Sequence, residues 1–178
     1  MFSMVTLFVL AFQASSTLAV NDTQAVDEAV LPLPEDLRDG ATVVRIDESG
    51  KREVLRQGTN HLVCRADSPR PGFHVACYVK ELDPYVTKLF ELEESGKSEA
   101  EVGRALSEEI EAGRVQLVDG GVMYVLQGPS VIGAKPITVV YMPNATPEST
   151  GLSAQPNHYR PWLMFAGTQF AHIMIPGK

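Results

Sequence analysis

The chain reads as one α+β domain on an antiparallel sheet: an N-terminal four-stranded meander, two central helices, then C-terminal strands. Three observations predict this class. Residues 41–80 alternate β-branched runs with turn clusters. Residues 83–113 carry two apolar repeats at helical spacing, each with its own start and stop signals. After Arg114 charges become sparse and short β-prone apolar runs take over. A length of 178 residues with 44% hydrophobic and 21% charged residues fits one folded unit with a real core.

The first element is "MFSMVTLFVLAFQASSTLA". Val5 to Phe12 form a short apolar run, and Thr17-Leu18-Ala19 offers a small-x-small cleavage site. This predicts a secretory signal peptide over residues 1–19, although no Lys or Arg precedes the run. The run is shorter than the ~20 residues a membrane span needs. Residues 20–36 are acidic and Pro-bearing and read as a mobile leader, so the domain is expected over 37–178.

Ala41–Ile46 and Arg52–Leu55 flank the turn cluster Asp47-Glu48-Ser49-Gly50, a hairpin signal. "HLVCRA" and "FHVACYV" read as two further strands around "DSPRPG" and complete the expected meander. Asp83 is placed to cap the first helix, with Pro84 at its first position and Gly96 at its end. Ser98-Glu99-Ala100-Glu101 is a capping-box pattern opening the second, and Gly113 suits its left-handed exit. Glu108, Glu109 and Glu111 form a solvated face. Residues 121–126, 137–142 and 170–175 read as buried strands, residues 146–151 as one capped helical turn, and residues 152–161 as a loop.

Both cysteines lie in "HLVCRADSPRPGFHVACYV", residues 61–79. His61, Cys64, His74 and Cys77 supply four residue types that ligate zinc. On strands, however, residues three apart face opposite ways, so each His diverges from its Cys. Pairing the strands with the turn centred between Arg70 and Pro71 sets Cys64 opposite Cys77, Leu62 opposite Val79 and Ala66 opposite Val75. That face is apolar throughout. The expectation is a Cys64–Cys77 disulfide closing about 14 residues and contributing about 3 kcal/mol. His61 and His74 then share the other face with Val63 and Tyr78.

A net charge of −7 argues against nucleic acid or an anionic membrane as the main partner. No nucleotide-binding, nucleophile-elbow, zincin or EF-hand motif occurs, and no metal site or cofactor is expected. Asn21 and Asn144 open glycosylation-type triplets, the second followed by Pro147. In 170–175 alternation places Phe170, His172 and Met174 on one face and Ala171, Ile173 and Ile175 on the other. The candidate pocket residues are Tyr141, Glu148, His158, Tyr159, Trp162 and His172, gathered in the charge-poor C-terminal half.

The stretches "LRDGATVVRI", "GTNHLVCRAD", "FHVACY", "VYMPNAT" and "PWLMFAGTQFAHIMI" together resemble a group of small exported bacterial proteins of unknown function. The resemblance spans most of 35–176 and implies an extracytoplasmic site, periplasmic or secreted. It carries no activity or ligand. The leading expectation is an exported, disulfide-stabilised protein that binds a small molecule or a protein partner. The rival readings are a metal-assisted or His-dependent hydrolase using His158 and His172, and a structural homodimer joined through the apolar C-terminal strands.

Overall fold

The structure is a computed structural model that describes residues 14–47, 51–68 and 71–177. The apolar run Val5–Phe12 and the turn residues 48–50 and 69–70 lie outside the described residues. The strands are β1 (Thr42–Ile46), β2 (Arg52–Arg56), β3 (Leu62–Arg65), β4 (Phe73–Val79), β5 (Val122–Gly128), β6 (Lys135–Tyr141), β7 (Trp162–Met164) and β8 (His172–Pro176). They form one sheet in the order β2-β1-β3-β4-β5-β6-β8-β7. The helices are α1 (Ala14–Ala29), α2 (Glu35–Arg38), α3 (Asp83–Glu94), α4 (Glu99–Glu111) and the single turn α5 (Pro147–Thr150). The class is therefore α+β. Among the described residues no helix is long and apolar enough to cross a membrane.

The expected four-stranded meander is not what forms. β1 and β2 make a hairpin, but β3 pairs with β1, in parallel, on the side away from β2. The cause lies in residues 57–61, which fold back over the start of β1. Thr59 and Asn60 donate their backbone N–H groups to the Gly40 carbonyl, and Asn60 Nδ2 donates to the Leu37 carbonyl at 2.9 Å. A Cβ on Gly58 would lie 2.3 Å from backbone atoms of residues 40 and 42, so only glycine permits this crossing. All other strand pairs are antiparallel.

The expected mobile leader also needs correction. Residues 20–29 continue α1, and Ala29, Val30 and Leu33 are buried. Arg45 joins Asp22 of α1 to Glu53 of β2 at 2.8 Å each. Arg38 donates to the Leu33 and Leu31 carbonyls and so fixes the turn that follows α1. Acidic and Pro-rich residues hide this in the sequence, because the few apolar side chains that pack are spaced without a clean period.

The sheet has two differently covered faces. On one, α1 packs over Val43, Leu62, Cys64, Ala66 and Cys77. On the other, α3 and α4 pack over Val63, Ala76, Tyr78, Met123, Val125, Val139 and Tyr141. The helix punctuation is mostly as expected. Ser98 and Glu101 form the reciprocal capping box, and Gly96 and Gly113 take positive φ. Asp83 does not cap α3, because a 3₁₀ turn (Lys80–Leu82) leads straight into the helix. Its carboxylate instead accepts from the Tyr78 hydroxyl at 2.8 Å and pairs with Arg52 at 3.1 Å.

Candidate functional site

The cysteine pair is formed. Cys64 and Cys77 are register partners joined at 2.06 Å, and Leu62 stands opposite Val79, as the strand argument requires. Both cysteines are fully buried beneath α1, where the Ala29 carbonyl touches the Cys77 sulfur. This end of the molecule is closed and apolar. Among the described residues its buried cluster is built of apolar side chains and the disulfide, with Tyr124 packed at its edge.

The opposite face carries a partly open cavity of about 1120 Å³ between the sheet and the α3–α4 pair. Typical small-molecule sites occupy ~300–1,000 Å³. Its floor is Met123, Val125, Ile137, Val139 and Met174, contributed by β5, β6 and β8. Its roof is Leu89, Phe90, Val102 and Leu106. Strand alternation explains the floor: Met123, Val139 and Met174 are mutual register partners, as are Val125 and Ile137, so they share one face. Glu93, Lys97, Ser98 and Glu99 stand where α3 gives way to α4 and make that wall polar.

A row of four rings crosses the cavity wall. Phe165 meets His172 at 5.6 Å between centroids, His172 meets Tyr141 at 5.4 Å, and Tyr141 meets Tyr85 edge-on at 5.5 Å. The row runs from a 44% exposed Phe165 inward to a 4% exposed Tyr85. Phe165 sits in the turn joining β7 to β8 with φ +52°, a left-handed conformation that costs a side-chain-bearing residue about 1–2 kcal/mol. Its carbonyl accepts from the Thr168 hydroxyl at 2.7 Å, which holds the turn closed.

His172 and the two phenols are the polar part of this row. The His172 Nδ1 lies 2.7 Å from the Phe170 carbonyl, which can only accept, so Nδ1 carries the proton. Burial holds the imidazole below its usual pKa, against the opposing effect of that carbonyl, so the ring is neutral at pH 7. Nε2 is then an acceptor. Burial pushes Tyr85 up to about 12 and raises Tyr141 well above its ordinary value. The Tyr85 and Tyr141 hydroxyls interact with each other, and the Glu93 carboxylate adds to both upward shifts. Both phenols therefore stay protonated across the physiological range.

Of the residues singled out in the sequence, Tyr141 and His172 line the cavity together. The others do not join them. Glu148, His158 and Tyr159 are exposed, Tyr159 to 92%, and Trp162 is half-buried on β7 outside the lining. The Glu148 carboxyl is held below its usual range by hydrogen bonds at the start of α5, which accounts for it locally. Among the described residues no group of three or more His, Cys, Asp or Glu side chains is placed to hold a metal ion, so Glu148, His158 and His172 form no such centre.

His74, Tyr85, Phe165 and Phe170 are lining residues that the sequence did not reveal. His74 alternates correctly onto this face and meets the Phe90 ring at a tilt, 5.3 Å between centroids. Its partner helix is non-local, so nothing in its own strand marks it. One signal was available: Gly103 lies in the second turn of α4, away from either cap. A Cβ there would meet nothing within 4 Å, and the position lines the cavity. A helical glycine with no close neighbour costs about 1 kcal/mol against alanine and here leaves only room.

No protein-family model matches the chain, and neither curated proteins nor solved structures yield a match.

Proposed function

We propose that this chain is an exported protein, of the small bacterial kind its sequence resembles, that binds a small apolar molecule between its sheet and the α3–α4 pair. The observation that carries the reading is the cavity: about 1120 Å³ and largely apolar, with His172 and Tyr141 in its ring row and Glu93, Lys97, Ser98 and Glu99 at the α3–α4 junction. Gly103 enlarges the cavity further where alanine would serve the helix better.

Export is supported by the disulfide, which persists in oxidising compartments, and by the signal-like N-terminus. Cleavage after Ala19 would retain Asp22, Ala25, Val26 and Ala29, the α1 residues that meet the rest of the molecule.

The test is a fluorescence titration of the oxidised protein with Nile red, an uncharged apolar dye. Saturable one-to-one binding that disappears in Gly103→Phe, with the circular dichroism of both proteins alike, is the expected result. Absence of saturable binding, or binding unchanged in a folded Gly103→Phe protein, overturns the reading.

A further inference from the structure

Resting on the cavity reading, we infer that the ligand is an uncharged amphiphile with a hydroxyl head, an alcohol or phenol, whose O–H donates to His172 Nε2 while its apolar body lies along β5 and β6. The argument is one of complementary groups. His172 has its Nδ1 proton committed to Phe170, so Nε2 is the ring atom left to meet a ligand, and it presents a lone pair. Tyr141 stands beside it, 5.4 Å away between ring centroids, and its phenol stays protonated. A lone pair set in a largely apolar lining calls for an uncharged ligand group that gives a proton, which a hydroxyl does.

A carboxylate fits worse. It brings only lone pairs, and these would face the imidazole lone pair. It would also add a negative charge to a wall that already holds Glu93. Lys97 is the cationic residue of the lining, and it stands at the α3–α4 junction, on different elements from the ring row. A quaternary ammonium head has no hydrogen to give to Nε2 at all. The floor beyond the rings is mainly Met123, Val125, Ile137 and Val139, with His74 and Gln127 paired at its β4–β5 edge, so the body of the ligand is mostly hydrocarbon.

The experiment is competition against bound Nile red with three probes of one chain length: 1-decanol, decanoate and decyltrimethylammonium, each below its micellar range, at neutral pH. The expected order is decanol tightest, with each charged probe weaker by about tenfold or more. In His172→Phe, decanol binding weakens by roughly three- to tenfold while Nile red affinity holds, and His172→Gln, which restores an acceptor, recovers part of the loss. If decanoate or the ammonium probe competes as well as decanol in the wild-type protein, or if His172→Phe binds decanol unchanged, this inference is overturned while the cavity reading survives. If Nile red itself does not bind, both fall.

Discussion

The two faces of the sheet solve the same packing problem in opposite ways. Under α1 the contacts include small groups, Ala29, Ala41, Ala66 and a disulfide, each 0–2% exposed, beside Leu33 and Leu62. Short side chains let the helix come close, and the Cys64–Cys77 bond ties the two strands beneath it. Under α3 and α4 the contacts are made by Tyr78, Tyr85, Phe90 and Tyr141, whose bulk holds the helices off the sheet. Between these props a cavity opens over the floor of β5, β6 and β8, whose Met123, Val125 and Val139 are 4–8% exposed. One face is a staple and the other a vault. Comparing them shows how one sheet can be rigid and still receive a ligand.

Breaking the staple should have the largest effect. Replacing Cys64 and Cys77 together by alanine is expected to lower unfolding free energy by about 2–5 kcal/mol. Urea denaturation of the oxidised protein beside the double variant measures it. A change below about 1 kcal/mol would mean that the closed face does not depend on its covalent link.

The props of the vault come next. Arg65 is 5% exposed, lies 3.9 Å over the Phe90 ring and pairs with Glu94 of α3. Among the described residues its Nε has no hydrogen-bond partner, so Glu94 carries much of the compensation for burying this charge. Glu94→Gln should therefore cost about 3 kcal/mol by the same urea measurement, and Arg65→Met, which removes the charge itself, should cost less.

A matched pair of enlargements sharpens the comparison directly. Ala29→Leu, on the closed face, should destabilise by about 1–3 kcal/mol through overpacking. Gly103→Leu, on the open face, should cost nothing or gain up to about 1 kcal/mol from helix propensity, because its new side chain enters empty space. Equal costs at the two positions would remove the distinction between the faces.

Acidification gives the smallest effect. The folded His172 has a pKa below the ~6.5 of an unfolded histidine, because burial disfavours its charged form. Between those two values the unfolded chain binds the extra proton, so stability falls as pH drops below ~6.5 and levels off beneath the folded pKa. Urea midpoints followed from pH ~7.5 to ~5 should decline less steeply in His172→Phe than in the parent.

Much of the closed face was legible in the sequence and little of the vault was. Alternation alone set Cys64 against Cys77 and turned His74 and Tyr78 to the far side, because period-two geometry is local. The same rule put His172 and Met174 on one face. The parallel β1–β3 pairing was not legible, since it depends on a single close backbone crossing at Gly58. Nor was the site. Tyr85, Tyr141 and His172 are brought together by an antiparallel β6–β8 pair and by a helix far away in sequence. His158, Tyr159 and Glu148 looked comparable as residue types, and only the fold shows them outside the cavity.

The methionines offer the most direct measurement. Met123, Met164 and Met174 line the cavity, while Met142 packs in a separate cluster with Ala145 and Leu163. In protein labelled with ¹³C at the methionine methyls, titration with 1-decanol should shift the first three resonances in step and leave Met142 in place. Shifts at Met142 without the others, or no saturable shift at all, would contradict the account of an open face built to hold a ligand.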